Sequence, residues 1–410
     1  MKKLFALLLS LAMVLALVAC GQKDPTPDTP DTPDDPQTKV EYKVAMITDY
    51  GDITDQSFNQ TTYEACKAFA EDNSIEFSYF KPAGDNTADR VAMIEKAVDE
   101  GFNVIVMPGY AFGGAIVEAA PEFPDVKFIA LDVAAGDLLE TAVAKAGETY
   151  DYTPENWDLN KYVDMSNVYC AVYQEELCGY MAGYAAVKLG YKNLGFLGGM
   201  SVPAVVRYGY GFVQGLDAAA ADLGLTDVKL NYIYGGQFFG DADITAVMDT
   251  WYQGGTEVVF ACGGGIYTSA VDAAKKVGAK VIGVDVDQAG VIAKYAGVDG
   301  MTVTSAMKGL YPATYDTLTD VIVNGNWDKY VGKIATLGLV SGTDPEANYV
   351  QIPMGDGTQW SDSFTQDDYK AMVKDMFDGK ITVSNNTSSD VSAADFATVI
   401  TVDDQGSIKG

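Results

Sequence analysis

The feature that most constrains this chain is an alternation. Short apolar runs are each followed by a longer stretch with helical spacing, and the pattern recurs along the sequence. "KVAMIT" at 43–48 precedes a helix predicted from about Ser57 to Glu71, and "IEFSYF" at 75–80 precedes "TADRVAMIEKAVDE". "NVIVM" at 103–107 precedes a helix from about Phe112, and "VKFIALD" ends at Asp132. This order reads as an α/β fold with a parallel, doubly wound sheet.

A non-periodic stretch at about 136–166, rich in Asp, Tyr and Asn, reads as a long surface excursion. The alternation then restarts with a helix from about Glu175 to Leu189, followed by "NLGFLGG", a helix at 203–223 and "VKLNYIY". A helix at 241–253, "EVVFACGGG", a helix at 267–277 and "KVIGVD" complete the repeat. The second half therefore copies the first, and two similar lobes with a cleft between them are expected. With 410 residues, 48% of them hydrophobic, the chain has ample material for two cores. "MTVTSAMK" and a helix at 309–324 follow, then short strands, a helix near 366–377 and "KITV". We expect the first lobe to comprise 41–166 and about 288–330, and the second 167–287 and about 331–410.

The first forty residues are not part of either lobe. Lys2 and Lys3 precede an apolar run, Leu4–Val18, that is broken only by Ser10 and is short for a membrane span. The run ends in "LVAC" and Gly21, the pattern of a bacterial lipoprotein signal. Residues 1–19 read as a signal peptide and Cys20 as the lipidated new terminus, in preference to an ordinary signal peptide or a short anchor, because the apolar run stops at the cysteine. Acyl chains hold by roughly 0.8 kcal/mol per buried CH₂, so more than one chain gives a durable anchor. Gly21–Lys39 carries five prolines and five aspartates, which build no core but make an extended tether, so that 20–40 links anchor to body. The expected location is the extracytoplasmic face of the cell membrane.

The net charge of −30 repels polyphosphates and argues against nucleic-acid polymers as partners. The sequence has no histidine, the commonest metal ligand and general base, and no G-x-S-x-G elbow. No metal, no cofactor and no catalysis are expected; a hydrolase using paired carboxylates is the enzymatic alternative. Besides Cys20 there are Cys66, Cys170, Cys178 and Cys262, all in apolar stretches. Cys170 and Cys178 could pair, or all four could be buried thiols.

In open parallel sheets, ligands bind beyond the carboxyl ends of the strands, and that is where the unusual residues fall. "TDYGDITDQSFNQ" at 48–60 puts three aspartates, a phenylalanine and an asparagine into one strand-to-helix loop. Its local reading is a capping box, Ser57 with Gln60, and a core residue, Phe58, in register with Thr62, Ala65 and Phe69. Asp132 and Asp285 end strands and could be simple turn residues. The glycines at 263–265 could be a tight turn; they match neither a Walker A loop nor G-x-G-x-x-G. Taken together, aromatic residues on two facing rims, with carboxylates, an amide and a lysine, suit a planar ring bearing hydroxyl groups.

Five blocks in order, "TDYGDITDQSFNQ", "GFLGGMSVPAVVRYGYGFVQG", "CGGG" before a helix, "VIGVDVDQ" and "TSAMK", resemble the basic membrane protein family of lipoproteins, purine nucleoside receptors of ABC transporters. The resemblance covers about 43–385 and implies a type I periplasmic-binding-protein fold that closes by a hinge on its ligand. It implies that Phe58 stacks on the base, that Asp49 and Asn59 read its polar edge, and that Asp132, Asp285 and Lys308 hold ribose hydroxyls. A second ring is expected in "GGQFFGD", assigned to Phe238 with Phe239 as the alternative, and a backbone contact at Gly264. The implied partners are a purine nucleoside, ABC permease and ATPase subunits, and the membrane through the lipid anchor, with the chain itself a monomer. The competing reading is a receptor or sensor of the same fold for a sugar or another small polar ligand.

Overall fold

The structure is a computed structural model and describes residues 41–409. The signal segment, Cys20 and the tether lie outside the described residues.

The first half runs β1 (Lys43–Ile47), α1 (Phe58–Asn73), β2 (Glu76–Phe80), α2 (Thr87–Asp99), β3 (Val104–Pro108), α3 (Gly113–Ala119), β4 (Lys127–Leu131), α4 (Ala135–Lys145), α5 (Leu159–Tyr162) and β5 (Val168–Tyr173). The second runs α6 (Glu175–Lys188), β6 (Asn193–Gly198), α7 (Pro203–Leu223), β7 (Lys229–Tyr234), α8 (Ala242–Gln253), β8 (Val258–Cys262), α9 (Tyr267–Val277), β9 (Lys280–Asp285), α10 (Ala289–Ala296) and β10 (Thr302–Lys308). Then come α11 (Leu310–Leu318), β11 (Lys333–Leu337), β12 (Val350–Gln351), α12 (Gln366–Phe377) and β13 (Thr401–Ser407).

Two sheets result, ordered β11-β5-β4-β3-β1-β2 and β12-β10-β9-β8-β6-β7-β13. Every pairing is parallel except β10 with β12. The inner strands β1, β3, β4, β6, β8 and β9 are almost wholly buried, as expected of strands covered by helices on both faces. Within each sheet the orders 2-1-3-4-5 and 7-6-8-9-10 coincide, so β1 corresponds to β6, β3 to β8, β4 to β9 and β5 to β10.

The expected boundaries need correction at three places. Strand 168–173 joins the first sheet, so the first lobe extends past 166. Strand 302–308 joins the second sheet, not the first, and 333–337 joins the first, not the second. Sheet membership is fixed by a distant partner strand, which the local pattern of a strand does not carry. The supposed excursion at 136–166 opens with α4, whose buried Leu138, Leu139, Ala142 and Val143 form one helix face. "KITV" is not a strand. β13 passes unnoticed in the sequence because it is a polar, exposed edge strand against β7.

The chain crosses between sheets after β5, after β10 and after β11. These crossings are bonded to one another: Gln174 N donates to Leu337 O (3.0 Å), Gly309 N to Tyr349 O (2.6 Å) and Tyr349 N to Gly338 O (3.0 Å).

Helices α6 and α7 pack backbone against backbone. A Cβ on Gly179 or Gly183 would land on the carbonyl oxygens of Tyr208 or Phe212, and one on Gly211 or Gly215 on those of Glu176 or Tyr180. Two small-xxx-small pairs therefore face each other, and their close approach brings Glu175 at the start of α6 beside Arg207 on α7. Cys66, Cys170, Cys178 and Cys262 are buried free thiols, so the Cys170–Cys178 pairing is not formed.

Candidate functional site

The topological correspondence of the two sheets extends to special backbone. Asp132 after β4 and Asp285 ending β9 have φ of 59° and 65°, and Gly109 after β3 and Gly263 after β8 have φ of 126° and 147°. A non-glycine residue held in the left-handed region costs on the order of 1–3 kcal/mol, although Asp tolerates it better than most. Each lobe thus turns a carboxylate off the end of its fourth strand, one strand away from the point where strand order reverses, which Gly109 and Gly263 flank.

In the loop after β1, Asp49 Oδ1 accepts from the backbone N–H of Tyr50 (2.6 Å) and Gly51 (2.6 Å) and from Asn59 Nδ2 (3.2 Å). Burial pushes the Asp49 carboxyl up, against the pull of those N–H groups. Asp55 accepts from the backbone N–H of Ser57 (2.9 Å), Asn59 (2.9 Å) and Gln60 (3.1 Å). Asp55 therefore satisfies the first N–H groups of α1, and the capping box expected of Ser57 and Gln60 is not made. Ser57 Oγ is free to reach the other lobe, where it donates to Asp285 Oδ2 at 2.5 Å. Asn59 Nδ2 also donates to Asp55 Oδ2 (3.2 Å), so the amide nitrogen is spent on two carboxylates and its buried oxygen has no partner.

Lys308, at the end of β10, is the centre of a buried charge cluster. Its Nζ lies 2.5 Å from Asp132 Oδ2, 3.4 Å from Glu175 Oε1 and 3.8 Å from Asp285 Oδ1. Burial pulls its ammonium down, but Asp132, Glu175 and Asp285 outweigh that and hold it above its ordinary value. The same nitrogen stands 4.7 Å from the centre of the Phe58 ring. Phe58 is half-buried and packs against the core while facing this cation, so it is not a plain core residue. Burial pushes Asp132 up to about 6, against the opposing pull of Lys308. Tyr208 OH donates to Asp285 Oδ1 (3.3 Å), and Arg207 Nε to Glu175 Oε2 (2.7 Å).

Across the cleft, Phe238 O accepts from Gly265 N (2.8 Å). Its ring packs against Gly199 and Gly263, where a Cβ would collide with it. Phe239 is 58% exposed. Phe238 is thus the ring fixed by its surroundings, and Tyr50 approaches it at 6.4 Å between centroids.

Asp49, Phe58, Asn59, Asp132, Phe238, Gly264, Asp285 and Lys308 all line one cavity of about 410 Å³. Arg207, Tyr208, Tyr110 and Asp137, to which the sequence reading gives no site role, line it too; Ser57, read there only as a cap, and Glu175 join the site through Asp285 and Lys308. The available signal was a charge inside an apolar helix: Arg207 in "AVVRYGYGF" and Glu175 opening "EELCGYMAGY". Among the described residues, no group of His, Cys, Asp or Glu is arranged to hold a metal ion.

Comparison with known proteins gives this geometry a family. The sequence profile of the family described as ABC transporter substrate-binding protein PnrA-like matches residues 42–345. The chain belongs to that family. The chain is accordingly a substrate-binding protein of ABC transport and not an enzyme. Among relatives of the PnrA-like family, the ABC transporter nucleoside-binding protein BmpA of Lactococcus lactis is 25% identical over 389 residues, 92% of this chain and 96% of that one. Basic membrane protein B of Borreliella burgdorferi is 26% identical over 322 residues, 76% of this chain and 83% of that one. The fold matches an ABC transporter solute-binding protein from Aeropyrum pernix with a TM-score of 0.60 at 19% identity, over 83% of this chain and 87% of that one. β12, α12 and β13 lie beyond the stretch that the family profile covers.

Proposed function

We propose that this PnrA-like protein is the lipid-anchored, extracytoplasmic receptor of an ABC importer and binds a purine nucleoside by closure of its two lobes. The observation that carries the reading is that a single 410 Å³ cavity contains two chemically distinct groups of side chains. Asp49 and Asn59 form an amide-and-carboxylate edge suited to a heterocycle with N–H donors. Asp132, Asp285 and Lys308 form a charged cluster suited to vicinal hydroxyls. Phe58 comes from the first lobe and Phe238 from the second, and ring stacking contributes roughly 1–3 kcal/mol per base. The Asn59 nitrogen is already used twice and its oxygen is a buried acceptor with no partner; an unspent acceptor on this edge suits a donor-bearing purine such as guanosine, inosine or adenosine. The nucleoside-binding relative supports the same ligand class.

Closure involves no chemistry: the ligand replaces water between the lobes and each lobe contributes contacts. In this reading Cys20 carries the lipid, residues 20–40 are the tether, the monomeric body presents its closed form to permease subunits, and an ATPase drives uptake. The test is isothermal calorimetry on residues 41–410, refolded to strip carried-over ligand, against purine and pyrimidine nucleosides, free bases and simple sugars. One-to-one binding of a purine nucleoside is expected. A sugar signal with none for any nucleoside would overturn the ligand assignment and leave the fold untouched.

A further inference from the structure

The loop that carries Phe238 is held from two sides. On its inner side Gly235 N and Gly236 N donate to Gly198 O (2.7 Å) and Gly199 O (2.8 Å), and Gly265 N donates to Phe238 O. Its outer side is covered by β13 and the two residues after it, a segment beyond the stretch matched by the family profile.

That segment is tied down along its length. Asp217 on α7 accepts from the backbone N–H of Thr398 (2.8 Å), Val399 (2.6 Å) and Ile400 (3.0 Å) and from Thr398 Oγ1 (2.7 Å). β13 then pairs with β7, Trp251 Nε1 donates to Gln405 Oε1 (3.2 Å), and Ile408 N donates to Tyr234 O (2.8 Å). The next residue, Lys409, lays its backbone against Gly236, whose φ is +79°. Its ammonium donates to Gln237 Oε1 (2.8 Å) and pairs closely with Asp241 Oδ2. Gln237 Nε2 in turn donates to Asp241 Oδ2 (2.9 Å) and to Phe239 O (2.9 Å). Asp241 Oδ1 meanwhile caps α8 through Asp243 N and Ile244 N. Residues 237 and 241 bracket the two phenylalanines, and one ammonium binds both.

We infer that Lys409 is a positioning residue for the ligand: the strap formed by residues 398–409 clamps the 235–241 loop and so fixes the Phe238 ring against Gly199 and Gly263. Lys409 does not line the cavity. Its effect reaches the ligand through the loop, and a charge-assisted contact of this partly exposed kind is consistent with an effect of about three- to tenfold on affinity. The affinity part of the inference rests on the nucleoside reading; the clamp itself does not.

The experiment compares full-length wild type, Lys409→Met and Lys409→Arg in two measurements. Amide hydrogen exchange without ligand reads the clamp: Lys409→Met is expected to speed exchange in 236–241, with β6, β8 and β9 unchanged and Lys409→Arg close to wild type. Calorimetry with guanosine reads the consequence: Lys409→Met binds about three- to tenfold more weakly, and the loss disappears when Phe238→Ala is already present. Unchanged exchange in 236–241 overturns the inference. Faster exchange with unchanged guanosine affinity also overturns it, because the loop would then be clamped to no effect on the ligand. Faster exchange in a protein that binds no nucleoside supports the clamp and instead overturns the ligand assignment.

Discussion

The hydroxyl of Ser57 donates to the carboxylate of Asp285 at 2.5 Å, joining the loop after the first strand of one lobe to the end of the fourth strand of the other. The bond exists because Asp55 has taken over the capping of α1, which leaves the serine hydroxyl at the helix start with no local partner. Removing it should loosen the closed arrangement more than the fold. For Ser57→Ala we expect ligand dissociation faster by roughly tenfold, the scale of a hydrogen bond to a charged group, with a nearly unchanged melting temperature. Stopped-flow displacement of bound nucleoside measures the first and calorimetric unfolding of the empty protein the second.

Phe58→Ala removes a ring that faces Lys308 at 4.7 Å and is only half-buried. The expected loss of affinity is about 1–3 kcal/mol, against a modest loss of stability. A collapse in stability with unchanged affinity per folded molecule would assign Phe58 to the core alone.

Lys308→Met leaves Asp132, Glu175 and Asp285 gathered around an apolar side chain. Breaking a buried pair by removing one partner costs about 3–5 kcal/mol, so this variant should be strongly destabilised as well as unable to bind. Urea unfolding of the empty protein should show the first effect. The double variant Lys308→Met with Asp132→Asn should recover part of it.

Asp137 lines the cavity and accepts from Ala134 N at the start of α4 (2.7 Å), and burial pushes its carboxyl up to about 7. The folded value lies above the unfolded one, so the folded state holds the proton more tightly. Its contribution to stability is full below about pH 4 and is lost as pH rises through about 7. Asp137→Asn keeps the acceptor and removes the charge. It should therefore be more stable than wild type at pH 8, by about 1–3 kcal/mol, and the two should converge below about pH 4. Thermal unfolding across that range checks the sign.

Gly183→Val would drive a side chain into the backbone of α7 at Phe212. Overpacking at a backbone contact should cost about 3 kcal/mol or more. Gly290→Ala, in α10 with open space around it, should instead be neutral or stabilising by about 0.5 kcal/mol. The pair separates close approach from ordinary helix propensity.

Much of this arrangement was legible in the sequence because it is local. Each inner strand is a compact apolar run, so α7, α9 and α12 fall where the spacing puts them, and Asp132 and Asp285 fall at strand ends. What was not legible depends on partners far away in the chain. β5 and β10 look alike locally, yet belong to different sheets because of the strands beside them. Ser57 reads as a cap until Asp55 is seen to hold the N–H groups it would have taken. Arg207 and Glu175 are 32 residues apart and meet only because four glycines let α6 and α7 touch. β13 looks like polar coil because only one of its edges is paired.

The three crossings between the sheets are hydrogen-bonded side by side at Gln174, Gly309, Gly338 and Tyr349. Three ribbons stitched together resist twisting and sideways slip far better than they resist bending about the line they share. In the closing reading proposed above, that leaves one dominant motion, a change in the angle between the two halves. On that reading a transporter partner need sense only that angle, whatever molecule occupies the cleft, and chemical identity is read inside.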